Sequence, residues 1–167
     1  TPGLIDAHSH LGVYSAPGIS TSEDGNEMTG PVTAEVWAEH SIWPQDPQFR
    51  LALEGGVPSM QILPGSANLI GGRGVTVKNV PALTMQDMKF PGAPYTLKMA
   101  CGENPKRVYG EDRKQAPMTR MGNVAGYRAA WIEAQQYLRD WDEFKKKSAE
   151  YAKDKKGDEP KQPKRDL

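Results

Sequence analysis

A helix signal lies between two strand signals, and that order limits the sheet this chain can build. Asp46 is a favourable N-cap, Pro47 suits the first helical position, and Gly55-Gly56 supplies a stop. A helix is therefore predicted over residues 47–54. Residues 57–63 follow as a mostly buried strand. Residues 3–11 precede it as a short strand alternating apolar and polar, with its even positions on one face. A helix between two strands makes a βα-type unit, which favours a parallel sheet.

The remaining segments divide by composition. Residues 12–31 are rich in Gly, Ser, Thr, Asp and Asn and read as a long loop. Residues 33–42 read as a short helix broken by Pro44. Residues 64–74 (PGSANLIGGRG) form a glycine-rich loop, residues 75–90 two short extended pieces, residues 95–101 a third core strand, and residues 102–118 a polar loop. The longest element is a helix starting near residue 122 and fraying after 151. In it Tyr127, Trp131, Ala134, Leu138 and Trp141 recur at spacings of four and three, a stripe assigned to the core. Residues 153–167 are rich in Lys, Asp, Glu and Pro without a periodic apolar face. They read as a polar linker or tail behind a domain over residues 1–152. No internal repeat is present.

Charge removes several function classes. Lys+Arg and Asp+Glu both number 21, so nothing favours a nucleic-acid partner, and the basic residues of the tail are interleaved with acids. No apolar run approaches the roughly 20 residues that span a bilayer, so no membrane partner is expected. One cysteine, Cys101, excludes an internal disulfide framework and reads as a buried small hydrophobe rather than a nucleophile. No basic-then-apolar leader is visible, and a start at Thr1 rather than methionine predicts that upstream residues have been removed. Localisation, cytoplasmic or periplasmic, stays open.

Chemistry concentrates at His8 and His10. Two residues apart on a strand, both imidazoles can reach one cation, and neutral imidazole suits zinc and similar metals. Asp6, two residues earlier, could orient a histidine by accepting a ring N–H. Taken alone, a His-x-His pair is equally well read as exposed or hydrogen-bonded side chains on a strand.

The surrounding residues add a resemblance. Pro2-Gly3-Leu4-Ile5-Asp6-Ala7-His8-Ser9-His10-Leu11-Gly12 resembles the first-strand motif of the amidohydrolase superfamily, within it the imidazolonepropionase-like and Xaa-Pro dipeptidase-like branch. Leu53-Glu54-Gly55-Gly56-Val57 resembles the passage from helix to second strand in the same enzymes. Those strands usually open Gly-Val-Thr-Thr, whereas Pro58 and Ser59 follow Val57 here. The resemblance implies an α/β fold, namely the first few strands of a (β/α)8 TIM-type barrel with a long helix. It further implies hydrolysis of amide or cyclic amide C–N bonds by a water activated on a divalent metal, zinc by preference. Implied partners are a small-molecule or dipeptide-like substrate, and either the remaining barrel segment or further copies of the chain.

The resemblance also implies a ligand set. His8 and His10 would bind the more buried metal, and a carboxylate or carboxylated lysine from a middle strand would bridge to a second one. Glu103, in Cys101-Gly102-Glu103-Asn104-Pro105, and Lys98 inside the third strand are the two candidates, with Glu103 preferred. A solvated loop carboxylate and a strand-end cation are the plain readings of the same residues. The superfamily takes two further histidines and an aspartate from later strands. The only other histidine, His40, falls before the second strand and reads as an ordinary surface or core residue. A catalytic zinc normally needs three protein ligands and an open position. No residue of this chain is therefore assigned as the catalytic base. A barrel of this type takes about 250 residues, so the chain is expected to be an N-terminal fragment with an incomplete active site. Arg73, in the loop over residues 65–74, is a candidate substrate contact. The alternative is a non-catalytic module that self-associates through exposed sheet edges.

Overall fold

The computed structural model describes residues 2–154 and 158–164. They fall into two compact units, divided between Asn123 and Val124. The first holds a four-stranded mixed sheet: β1 (Ile5–Ser9), β2 (Ser59–Ile62), β3 (Ile70–Lys78) and β4 (Thr96–Met99), in that spatial order. Between β1 and β2 runs helix α1 (Pro47–Glu54), with Asp46 at its N-cap and Pro47 in the first turn, where the sequence puts them. β1 and β2 pair in parallel, as a strand–helix–strand unit requires.

The sheet is not parallel throughout. β2 with β3, and β3 with β4, are antiparallel. The cause lies in the glycine-rich segment. Residues 70–74 do not loop but form the first half of β3, so a short link over 63–69 returns the chain antiparallel to β2. The glycines serve close approach instead. A Cβ on Gly72, which sits at φ +106°, would overlap the Val36 carbonyl, and one on Gly74 would press into the Ile62 carbonyl and the Leu63 side chain. This one strand, continuing to Lys78, also replaces the two short extended pieces expected after residue 75. A short helix α2 (Met85–Met88) follows it.

Other expectations shift similarly. The expected helix over 33–42 shrinks to a 3-10 turn, Ala38–His40. The polar loop over 102–118 contains helix α3 (Glu103–Lys106) and a π-helical stretch, Arg107–Asp112. The core lies on one face of the sheet. Met60 and Ile62 of β2 and Val75 and Val77 of β3 are in register and pack with Phe49 of α1 and with Met85 and Met88 of α2. Alternation then puts Gln61, Thr76 and Thr96 on the opposite face, where Gln61 Nε2 donates to Thr96 Oγ1 at 2.9 Å. β4 is thus no hydrophobic core strand. Leu97 and Met99 are 40% and 37% exposed, while its buried residue is Lys98, at 7%. Cys101 is exposed, contrary to its sequence reading, because β4 ends at Met99 and leaves it in the link to α3.

Loops are tied down by polar side chains. Asn68, 1% exposed, donates its two Nδ2 hydrogens to the carbonyls of Glu27 and Gly30, with Thr33 Oγ1 3.0 Å from the same nitrogen. Near the 3-10 turn, Glu39 accepts from Lys89 at 2.6 Å and from the Tyr95 hydroxyl at 2.8 Å. Burial pushes the Glu39 carboxyl up, but the hydrogen bonds from Lys89 and Tyr95 outweigh it and leave it below the usual range. The same bond, with help from Tyr95, holds Lys89 above its usual range. A carboxyl depressed on folding stabilises above its unfolded pKa and loses that contribution as pH falls through the folded one. A raised amine does the converse at the alkaline end. Glu39→Gln is therefore expected to cost about 1–2 kcal/mol near neutral pH. Urea midpoints of variant and parent should converge below the ordinary glutamate range, and a pH-independent gap would rule the pair out as its cause.

The second unit is mainly helix α4 (Arg120–Asp154), whose first turn belongs to the first unit. The helix confirms the periodic stripe but not its burial: Trp131 is 49% and Leu138 63% exposed. Spacing decides which residues share a helix face, not whether anything covers it. Trp141 is half-buried, with edge-on ring contacts to Tyr137 and Phe144 of the same helix. Of the expected tail, Lys153 and Asp154 end the helix and residues 158–164 lack regular structure. The rest lies outside the described residues.

Candidate metal centre

β1 and β4 are the outer strands of the sheet, yet their side chains meet. Three strand spacings would separate them by about 14 Å in a flat sheet. His8 Nε2 nevertheless lies 3.1 Å from Lys98 Nζ. The sheet is curled into a half-barrel, and both side chains lean across its hollow face. Lys98 is on that face because it alternates with the outward Leu97 and Met99.

The two histidines sit side by side, ring centroids 5.1 Å apart and the planes at 81°. His10 Nδ1 is 2.8 Å from the Leu63 carbonyl, just beyond the end of β2. A carbonyl only accepts, so Nδ1 carries a proton, and in the neutral ring Nε2 keeps its lone pair. Fixing one ring nitrogen on a main-chain carbonyl is the usual way a metal-binding imidazole is oriented. His8 is held below its ordinary pKa, first by the Lys98 charge, then by burial and by His10, with Asp6 opposing. Burial lowers Lys98. Both effects favour neutral nitrogen donors at this spot.

The other sequence candidates are placed differently. Asp6 Oδ1 accepts the main-chain N–H of His8 at 3.0 Å, and a register shift between Asp6 and Ser9 interrupts the alternation that would align it with the two rings. Glu103 is exposed in the first turn of α3. Among the described residues, no group of three or more His, Cys, Asp or Glu side chains is gathered to hold a metal, so Glu103 does not join the pair. Arg73 lies within β3 rather than in a loop. It pairs with Leu97, on the side of the sheet away from Lys98, and its guanidinium sits 4.2 Å above the Trp37 ring. The His40 side chain is 73% exposed, a surface residue. Two contributors escaped sequence reading. Leu63 acts through its carbonyl, which no side-chain pattern reveals. Tyr14, stacked edge-on against His10 at 5.6 Å, had only its spacing of four from His10 as a signal.

No protein-family model matches the chain. It is 39% identical over 153 residues to "Amidohydrolase tasK" of Hapsidospora irregularis, a match covering 86% of this chain and 16% of that protein. It is also similar to a crystal structure of an amidohydrolase from Thermotoga maritima MSB8. That match has 44% identity and a TM-score of 0.82, covering 87% of this chain and 37% of the other. Both relatives support the amidohydrolase superfamily. The chain thus spans well under half the length of either relative. The high structural similarity also fits the four curled strands to part of a barrel.

The donor set of His8, His10 and Lys98 fits a divalent transition metal. It offers two imidazoles, one with Nδ1 already committed, and a buried amine that becomes an anionic oxygen ligand if carboxylated.

Proposed function

We propose that this chain carries part of the active site of a metal-dependent amidohydrolase acting on C–N bonds of amide or cyclic amide substrates. The observation that carries the proposal is the meeting of His8 with Lys98 across the curled sheet, beside a His10 whose tautomer the Leu63 carbonyl sets. A divalent metal, zinc by preference, would polarise a scissile carbonyl and activate a water. His8 and His10 would hold it through their Nε2 atoms. Lys98 replaces Glu103 as the favoured third ligand. Its amine would take up carbon dioxide, forming an N–C bond and releasing a proton, to give a carbamate whose oxygens ligate. The proton-shuttling aspartate and further histidines of such a site would come from residues that this chain does not contain. The imidazolonepropionase-like branch and a dipeptide-like substrate remain part of the same proposal, resting on the first-strand motif.

The test is metal content after dialysis, measured by elemental mass spectrometry in bicarbonate buffer. The parent chain is expected to retain close to one zinc per chain, and His8→Ala and His10→Ala to retain almost none. Equal zinc in parent and variants would end the metal reading.

A second reading concerns association. β1 is an outer strand with its far edge unpaired among the described residues, and Leu4 just before it and Ile5 at its start are 68% and 79% exposed. Such an edge supports pairing with another strand, from a further barrel segment or a second copy. Light scattering on the purified chain separates monomer from oligomer.

A further inference from the structure

Tyr14 is built into the structure more firmly than a loop residue requires. Its backbone N–H donates to the His10 carbonyl at 3.1 Å, closing a turn directly after the histidine pair. Its carbonyl accepts from Gln48 Nε2 at 2.9 Å, and the residue bridges to Glu23 in antiparallel fashion. The hydroxyl accepts from Asn26 Nδ2, while Asn26 Oδ1 takes the Ala67 N–H at 3.0 Å. The ring lies against two glycines. A Cβ on Gly25 would overlap its ring carbons, and one on Gly65 would overlap its hydroxyl and the Asn26 amide. Gly65 in turn donates its N–H to the Gly25 carbonyl at 2.7 Å, so the two glycines are fastened to each other around the ring. The edge of this clamped ring meets His10 at 5.6 Å and 80°.

We infer that Tyr14 is a positioning residue that holds the His10 ring against the Leu63 carbonyl and so fixes which nitrogen it offers to a metal. The inference deepens the proposed metal site and rests on that reading only for its consequence. The hydrogen bond to Leu63 selects the Nδ1–H tautomer only while the ring keeps its orientation. The orientation depends on a neighbour that cannot move. Tyr14 is such a neighbour, because Asn26, Gly25 and Gly65 leave its ring one position. Without it, rotation about the Cβ–Cγ bond would let His10 leave the carbonyl, and the other tautomer would gain population.

The experiment uses the full chain without metal, with side-chain proton–nitrogen correlation spectra reporting the His10 tautomer. Cobalt(II) titration of the same samples gives affinity, and far-ultraviolet circular dichroism checks the fold. The parent is expected to show His10 as Nδ1–H. Tyr14→Leu should give a mixture of tautomers and weaken cobalt binding by about 10–100-fold. Tyr14→Phe, which keeps the ring edge, should retain the parental tautomer. Gly25→Ala, which leaves Tyr14 in place but displaces its ring, should repeat the Tyr14→Leu signature and decides the matter if Tyr14→Leu does not fold. A parental tautomer and parental cobalt affinity in the displaced or truncated variant would overturn the inference. A tautomer shift in a chain that binds no cobalt would support Tyr14 as the positioner of His10 while overturning the metal reading.

Discussion

Asp46→Ala is expected to destabilise the chain by about 3–5 kcal/mol, a large share of the 5–15 kcal/mol typical of a domain. Asp46 is 2% exposed, and both of its oxygens are in use. Oδ1 accepts from the Gln48 N–H at 3.0 Å, capping α1, and from the Ala16 N–H at 3.4 Å. Oδ2 accepts from the Gly12 N–H and from Gln48 Nε2, both at 3.0 Å. Loss of a helix cap alone costs about 1 kcal/mol. The larger part comes from leaving the buried Gly12 donor and the half-buried Ala16 donor without acceptors, worth up to about 1–3 kcal/mol each. Asp46→Asn keeps one oxygen and can still cap the helix, but turns an amide N–H₂ against donors, so it should fall between parent and alanine variant. Urea unfolding measures all three. An alanine variant within 1 kcal/mol of the parent would show that water replaces the carboxylate at little cost. Gly12 lies two residues after His10, so the same variant should also weaken zinc retention: the loop following the histidine pair would lose its anchor.

Asp46 illustrates what the sequence makes legible. Its role as a cap follows from local chemistry, Asp-Pro before an apolar run and Gly-Gly after it, and α1 appears with its expected bounds. Its second role, holding the residues 12–16 loop, joins positions 30 and 34 apart and has no local signature. The same division runs through the candidate site. His8 and His10 stand out because a spacing of two at a strand's end sets their rings side by side, though β1 itself stops at Ser9. Lys98 was one of two open candidates. Choosing it over Glu103 needed the curl of the sheet, which arises from pairing and not from any segment's composition. The glycine-rich stretch misled because glycine signals both turns and close backbone approach. Only the neighbours of Gly72 and Gly74, Val36 and Ile62, show which applies. The aromatic stripe of α4 misled for a related reason. Periodicity records a face made for contact, while burial depends on a second surface.

Lys98→Met is expected to make the metal-free chain more stable and, in the same step, to abolish zinc retention. Lys98 is 7% exposed, and burial depresses its amine. Its amine lies against His8 Nε2, a nitrogen that is itself driven toward neutrality by the lysine charge. No carboxylate compensates it in that pairing, so the side chain is a cost that a methionine of similar length would remove. Replacing buried charge with a well-packed apolar side chain gains about 1–2 kcal/mol in favourable cases, or roughly 3–8 °C in melting temperature for a domain of this size. The metal arm of the prediction is at least about a 100-fold loss of zinc affinity, exceeding the loss usual for residues that only orient a ligand. Thermal melts with chelator present give the first quantity and zinc titration in bicarbonate buffer the second. A variant that melts lower than its parent would show that the hydrogen bond to His8 outweighs the burial of the amine. A variant that keeps parental zinc affinity would remove Lys98 from the ligand set and return the third position to residues outside this chain.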